Sequence, residues 1–226
     1  MKKLILALLF ILCLSFQASA LGPMMFLSGS GAGFTCGSEL ICDDFDGATT
    51  CGDLGYTVSG TADCNSNDYA LLTDAGTNAL IYQDVAANGT VFAKFDVYQS
   101  SSSQDDTVIR INNGGTTIAY LYMKSDGKWD AISGSGSFSN TGAWSQATWY
   151  TVKVKYVKGT GADGKFYFWY AAGQNQTLST DTGAADGSFE NSNATADANR
   201  AILTSYTSGV STRFDNFKFD TTDPDA

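Results

Sequence analysis

From residue 40 onward, hydrophobic and polar positions alternate in short runs. In residues 148–157, for example, Tyr150, Val152, Val154 and Tyr156 share one side of an extended chain and Lys153 lies on the other. A period of two predicts β-strands with one buried and one outward face. The same pattern or β-rich composition predicts strands at residues 40–45, 55–59, 69–72, 79–83, 90–98, 107–112, 116–123, 129–132, 148–157, 165–170, 201–206 and 212–219.

Helical periodicity is absent from the sequence. Residues 183–199 leave room for one short helix, but their composition favours a loop. The segments between strands are rich in Gly, Ser, Asp and Asn, which are turn formers. No repeat of fixed period occurs, which disfavours a propeller or a β-helix. The pattern predicts an all-β, two-sheet antiparallel sandwich of the jelly-roll type.

The first twenty residues have the pattern of a signal peptide. Lys2 and Lys3 precede an apolar run over residues 4–14, and Ala18-Ser19-Ala20 supplies small residues for cleavage. We predict a signal peptide at 1–20, an apolar glycine-rich arm at 21–35, a jelly-roll domain at 36–220 and a tail at 221–226. The protein is expected to be secreted or displayed on the cell surface. The arm is either a flexible lead-in or an assembly arm for self-association.

Cysteine usage agrees with export. Cys36, Cys42, Cys51 and Cys64 follow the signal peptide, and four cysteines in an oxidising compartment predict two disulfides with three connectivities. A metal site is disfavoured because no CxxC pair and no histidine occur. Among the three connectivities we favour Cys36–Cys42 with Cys51–Cys64.

The net charge of the protein limits the classes of molecule that it is expected to bind. The formal net charge of −10 repels nucleic acid and anionic membranes and disfavours a strongly acidic polysaccharide. The lack of histidine removes a Ser-His-Asp triad, and no P-loop or dinucleotide fingerprint is present. We expect no nucleic-acid partner and no membrane insertion.

Three motifs resemble the concanavalin A-like lectin/glucanase superfamily, a LamG-like jelly roll. They are ICDDFDG at 41–47, WYTVKVKY at 149–156 and TRFDNFKF at 212–219. The resemblance spans most of residues 40–220 and implies a jelly roll whose first and last strands lie side by side. Because that fold carries lectins, hydrolases, lyases and structural modules, the resemblance leaves the function open.

The resemblance also implies a structural calcium ion as a cofactor. Asp215 with Asp44 or Asp46 would supply carboxylate oxygens, and backbone carbonyls would complete the shell. The alternative is that Asp215 pairs with Arg213 or caps a turn.

Alternation predicts one set of outward side chains suited to a sugar. Flat aromatic rings contact sugar C–H surfaces, and fixed polar groups bind hydroxyls. If these side chains share a concave sheet, they form one aromatic groove; otherwise they line a solvated face or an intermolecular contact. The predicted glycan-binding residues are Lys94, Asp96, Arg110, Tyr120, Tyr122, Tyr167 and Trp169.

Catalysis has less support in the sequence. Glycosidases need two carboxyls flanking one bond, but Glu39 and Glu190 are isolated, and adjacent aspartates on a strand point to opposite faces. Residues 167–176 resemble a strand of alginate-lyase-type jelly rolls, whose arginine–glutamate–arginine and histidine-bearing strands are missing here. Tyr167 or Tyr170 beside Arg110 is the remaining acid–base candidate.

The sequence therefore predicts a non-catalytic, lectin-like module that binds a neutral or weakly charged glycan. A structural subunit of an extracellular filament, matrix or virion appendage is one alternative. A polysaccharide lyase or glycoside hydrolase is the other.

Overall fold

Alternating side chains place the strands in two antiparallel sheets that pack face to face. The computed structural model describes residue 36 and residues 39–46, 50–64, 68–101 and 104–226. Within that part of the chain there are fifteen strands and one 3-10 turn at Thr182–Ala184, with no α-helix. The predicted signal peptide and the arm at 21–35 lie outside the described residues.

Sheet A has eight strands. In spatial order they are β13 (Gly187–Ser192), β12 (Gly164–Ala172), β11 (Trp149–Val157), β6 (Thr90–Gln99), β15 (Ser211–Asp220), β4 (Ala70–Thr73) and β3 (Thr61–Asp63), with β1 (Ile41–Asp43) also paired to β15. Sheet B has seven strands. Their order is β10 (Gly136–Thr141), β9 (Trp129–Ser133), β8 (Thr116–Met123), β7 (Asp106–Asn113), β14 (Ala198–Ser205), β5 (Ala79–Asn88) and β2 (Thr57–Ser59).

This architecture confirms the predicted all-β jelly-roll sandwich, and each of the twelve predicted strands is present. Three strands were missed, namely β3, β10 and β13. The prediction that residues 183–199 form mainly a loop missed β13, which pairs with β12 there. Only Phe189 and Ser192 of β13 are buried, so this edge strand lacks the apolar alternation that reveals a strand in sequence.

The core lies between the sheets. The inward side chains of β6 are Val91, Ala93, Phe95 and Val97, and all four are fully buried. From sheet B, Ile109 and other alternate residues of β7 and β8 meet them. The face of each sheet that points away from this core is called its outer face below.

The first and last strands lie side by side, as the resemblance implied. Asp43 of β1 is opposite Phe217 of β15. The register of β15 against β6 shifts between Asp215 and Lys218, and Asn216 there has a positive φ of 50°. This bulge lets Phe217 face the core while Asp215 turns toward the outer face of sheet A.

Both predicted disulfides are present. Cys36 is bonded to Cys42, and Cys51 is bonded to Cys64. The bonds restrain the segment that leads into β1 and the loop before β4. Within the described residues, no helix is long and apolar enough to span a bilayer.

Candidate functional site

The fold divides the predicted glycan-binding residues between two surfaces. Lys94 and Asp96 lie on β6, and Tyr167 and Trp169 lie on β12, all in sheet A. The remaining residues, Arg110, Tyr120 and Tyr122, lie on β7 and β8 in sheet B. The two groups point away from opposite sides of one core, so the prediction of a single groove is wrong.

Three lysines form a row across the outer face of sheet A. Lys94 on β6 is directly opposite Lys153 on β11 and Lys218 on β15. Directly opposed residues of paired strands share one face. The three ammonium groups, called the lysine row below, therefore cross three adjacent strands.

The aromatic end of this face is covered by the segment that follows β12. Trp169 is 2% exposed and Tyr167 is 5% exposed, and both pack against Leu178. The indole N–H of Trp169 donates to the carbonyl of Asp181 at 3.2 Å. Neither ring is available to a ligand in this structure, which contradicts their predicted exposure in a groove.

Further along the same face, the buried carboxylate of Asp96 accepts hydrogen bonds from three parts of the chain. Its carboxylate accepts hydrogen bonds from Thr151 Oγ1 at 2.5 Å, from the Asn175 N–H at 2.8 Å and from Asn216 Nδ2 at 2.6 Å. Burial raises the pKa of Asp96 even though these donors oppose the shift. The predicted sugar contact at Asp96 is thus occupied by protein groups.

The chain after β15 covers two of the three lysines in the row. Asp225 forms ion pairs with Lys94 and, at 3.1 Å, with Lys153. Asp223 is 2.8 Å from Lys153 Nζ, which also donates to the carbonyl of Ser179. At the other end of the row, Lys218 pairs with Glu39 at 2.7 Å. The part of the outer face of sheet A that contains Lys94, Lys153 and Trp169 is therefore closed.

Sheet B presents an open aromatic face. Arg110, Tyr120 and Tyr122 line one shallow depression together with Thr107, Thr117 and Tyr206. The rings of Tyr120 and Tyr122 lie edge to face with centroids 4.9 Å apart. The guanidinium of Arg110 lies 4.6 Å from the ring centroid of Tyr206, which is 48% exposed.

Tyr206 was missed as a site residue although it ends the strand predicted at residues 201–206. Within the depression it stands beside Arg110, where a flat ring and a cation present one mixed surface. Its spacing of two from Thr204 and four from Ile202 places it on the outward side of that predicted strand, which is the signal that could have found it.

A second depression continues from the first and shares Tyr122 with it. Its polar lining includes Asp105, Lys124, Asp130 and Ser137. Lys124 pairs with Asp105, whose carboxylate also accepts the Ser125 N–H at 2.8 Å. The outer face of sheet B therefore offers a track of rings and hydrogen-bonding groups that extends from β10 toward Tyr206.

Protonation states on this face favour binding over proton abstraction. Burial, and then the neighbouring Tyr120, raise the pKa of the Tyr122 phenol well above its usual value. That phenol is protonated at neutral pH and donates hydrogen bonds. Since Tyr167 and Tyr170 belong to sheet A, they cannot form the acid–base pair with Arg110 that the lyase alternative required.

The predicted calcium ligands lie near the junction of β1 and β15. Asp46 Oδ1 and Asn216 Oδ1 are buried without a hydrogen-bond partner in the described part of the chain, which fits a cation as the missing partner. Burial raises the pKa of Asp215 to about 8, and Asp96, Asp46 and Asp44 add to the rise. Among the described residues, however, no three Asp, Glu, His or Cys side chains converge on one point as metal ligands.

Sequence comparison assigns no family to the chain. No protein-family profile matches it, and no curated protein is significantly similar in sequence.

In fold, the chain is similar to carbohydrate-active proteins of solved structure. A sialidase superposes with a TM-score of 0.63 at 13% identity over 82% of this chain, which spans only 19% of the sialidase. The marine alginate lyase of Aplysia kurodai has a TM-score of 0.54 at 12% identity, covering 76% of this chain and 88% of the lyase. The endo-β-1,4-glucuronan lyase of Trichoderma reesei has a TM-score of 0.50 at 13% identity, covering 82% and 92%. At such identities the likeness establishes the jelly-roll fold and leaves the activity open.

Proposed function

We propose that the protein is a secreted, non-catalytic, lectin-like module that binds a neutral or weakly charged glycan on the outer face of sheet B. The observation that carries this proposal is the open depression formed by Arg110, Tyr120, Tyr122 and Tyr206. Tyrosine rings supply flat surfaces for sugar C–H groups, and the guanidinium and phenol groups supply fixed donors for hydroxyls. The carbohydrate-active structural neighbours support this class of ligand.

The same depression is shallow and contains one cation, which supports a moderate affinity for a chain laid across the sheet. Lys124 and Asp130 lie beyond Tyr122, so a second sugar unit would meet both a cation and a carboxylate. A neutral unit satisfies both groups through its hydroxyls. A fully anionic chain would meet Asp105 and Asp130 with like charge.

The test is a binding panel of polysaccharides against the parent chain and the double variant Tyr122→Ala/Tyr206→Ala. We expect a panel member to bind the parent, and the variant to lose at least about tenfold in affinity, equivalent to about 1.4 kcal/mol. Tyr98→Ala is the matched control, because Tyr98 is a half-buried tyrosine on the outer face of sheet A. Absence of binding across the panel, or equal affinity of the double variant, would contradict the proposal.

The lyase alternative is favoured by its own observation, because two of the structural neighbours described above are polysaccharide lyases. A lyase needs a base at the sugar ring and a group that stabilises the developing negative charge. In the first depression Arg110 fits the second role, and the raised pKa of Tyr122 opposes the first. Incubation with uronate polymers that yields unsaturated products, absent from Tyr122→Phe, would establish this alternative instead.

We also propose that the jelly roll is of the concanavalin A-like type and that it binds a structural calcium ion. The pairing of β1 with β15 supports the type. The unpaired oxygens of Asp46 and Asn216, beside Asp215, support a cation. Calcium bound there would hold the first strand to the last and would lie away from the glycan face of sheet B.

A further inference from the structure

The lysine row is a cationic site whose counter-ions come from a short neighbouring segment. Lys153 has a fully buried side chain, and the side chain of Lys94 is 11% exposed. A buried ammonium group is strongly unfavourable unless an anion pairs with it. Asp223 and Asp225 meet that requirement here.

The segment that supplies these anions, residues 221–226, is attached to the sheet mainly through charge. Its ion pairs to Lys94 and Lys153 connect it to sheet A. Among the described residues, the backbone hydrogen bonds of the segment stay local, as when the Ala226 N–H donates to the carbonyl of Asp223 at 3.1 Å. It carries no buried hydrophobic residue. Such a contact can be exchanged for another polyanion, because the buried lysines require an anion and this segment supplies it through two side chains.

The segment at 173–186 covers the adjoining part of the same face in a different way. The Gln176 N–H donates to Thr151 Oγ1 at 2.9 Å, and Leu178 packs against the buried rings of β12. This second cover has apolar packing and neutral hydrogen bonds, neither of which a polyanion can replace. Residues 221–226 can therefore leave while the rest of the face stays closed.

We propose that residues 221–226 are a displaceable internal ligand and that the lysine row beneath them binds an acidic polysaccharide with a carboxylate on its repeating unit. This site is on sheet A and is independent of the glycan face proposed on sheet B. Displacement replaces the carboxylates of Asp223 and Asp225 by those of the polymer. Lys94 and Lys153 therefore remain paired with carboxylates, and Lys218 stays paired with Glu39.

The geometry favours a polysaccharide over an extended peptide. Peptides that add to a sheet do so at an edge, where unpaired backbone groups are available. Lys94, Lys153 and Lys218 lie on interior strands whose backbone groups are already paired on both sides. The face therefore offers side-chain ammonium groups in a line, about 5 Å apart from strand to strand. A linear polymer with repeated carboxylates matches that arrangement.

The net charge of −10 opposes long-range attraction of such a polymer, so binding depends on local contact with the lysine row. Removing two carboxylates from residues 221–226 both uncovers the row and lowers this repulsion. A control for the second effect must remove two carboxylates elsewhere.

The experiment measures the affinity for polygalacturonate by calorimetry at low salt. We expect Asp223→Asn/Asp225→Asn to bind at least tenfold more tightly than the parent chain. Lys94→Gln in that background should remove the gain, and about 1 M salt should abolish binding because the Debye length falls to about 3 Å. Methyl-esterified polygalacturonate, which has the same backbone without the charge, should not bind.

The matched control is Asp84→Asn/Asp197→Asn. These aspartates pair with Arg200 and Lys158 on the surface, so the variant changes the net charge equally but leaves the lysine row covered. It should bind polygalacturonate no better than the parent.

Three results would overturn the proposal. The first is equal affinity of the tail variant and the control variant. The second is equal competition by polyglutamate, which would assign the row to acidic peptides. The third is loss of the native fold both in the asparagine pair and in a chain that stops after Asp220, which would make residues 221–226 a fixed part of the sandwich.

Discussion

Asp106 shows how one buried carboxylate joins the two sheets. It lies on β7, is fully buried, and accepts the Tyr206 N–H at 2.6 Å and Ser205 Oγ at 3.1 Å within sheet B. From sheet A it accepts Thr212 Oγ1 at 3.0 Å and Gln99 Nε2 at 3.2 Å. Its four donors come from both layers, so the carboxylate fixes their relative position beside the glycan face.

Removal of that carboxylate is expected to destabilise the fold. Asp106→Ala leaves several buried donors without an acceptor, and we expect the free energy of unfolding to fall by about 3 kcal/mol in denaturant titrations. Asp105→Ala is the control, because the neighbouring side chain is exposed and its ion pair with Lys124 is worth about 0.5 kcal/mol or less. Equal losses in the two variants would refute the role of Asp106.

Asp215 gives the stability a defined pH dependence. Its pKa is raised from 3.8 to about 8 by burial first and by neighbouring carboxylates second. The folded state therefore binds more protons than the unfolded state between these values. The contribution of Asp215 to the free energy of unfolding is fully present below about pH 4. This contribution is lost as the pH rises through about 8.

In a chelator, we expect the free energy of unfolding to decrease between pH 6 and 8 by up to about 1.4 kcal/mol per pH unit. Burial also raises the pKa of Asp43, to about 6, so Asp43 acts mainly below this window. Asp215→Asn should reduce the slope. Calcium should reduce it as well, because a cation favours the ionised carboxylate. A melting temperature that calcium leaves unchanged at pH 8 would count against the metal site.

At the level of whole strands, the outer side chains of β12 have a different role in the structure from the one that the sequence predicted. Both of its faces are aromatic in the sequence, and the outer rings of Tyr167 and Trp169 looked available to a ligand. The segment after β12 folds back over them through Leu178. Trp169 is thus a packing residue of a second, smaller apolar cluster.

Trp169→Ala should therefore lower stability rather than affect glycan binding. We expect a loss of about 3–4 kcal/mol in the free energy of unfolding, typical of a large buried ring. The affinity of the folded fraction for the sheet B ligand should not change. Tyr206→Ala should show the opposite pattern, with stability within about 0.5 kcal/mol of the parent and weakened binding. A Trp169→Ala variant with parental stability would contradict the packing.

Alternation predicted the strands and their inward side chains because burial imposes a period of two on each strand. It correctly separated Phe95 from Asp96, and Ile109 from Arg110. It could not assign strands to sheets, because β6 and β7 are consecutive in sequence but belong to different layers. The same phase therefore places Lys94 and Arg110 on opposite sides of the molecule.

Local sequence patterns also could not predict that the outer face of sheet A is covered by other segments of the chain. Asp223 and Asp225 are ordinary polar residues in the sequence, and only the folded chain brings them to Lys153 and Lys94. The disulfides were predictable in part, since sequence proximity favours short loops among the three connectivities. Their pairing agrees with that preference.

For the whole molecule, the sandwich separates two binding surfaces of different chemistry. Sheet B leaves Tyr120, Tyr122 and Arg110 partly exposed, whereas Lys94 and Lys153 of sheet A lie beneath residues 221–226. The two sheets pack with a rigid core between them, about 10 Å thick. Changes on one outer face should therefore have little energetic effect on the other, because distant sites without shared partners behave additively.

This separation can be measured with a double-mutant cycle. Asp223→Asn/Asp225→Asn should leave the affinity for the neutral glycan within about 0.5 kcal/mol of the parent value. Tyr122→Ala/Tyr206→Ala should likewise leave polygalacturonate binding by the uncovered lysine row unchanged. If instead the tail variant strengthened or weakened neutral-glycan binding by tenfold, the two ligands would share one surface or a coupled one. The opposite orientation of Lys94 and Arg110 about the core argues for independence.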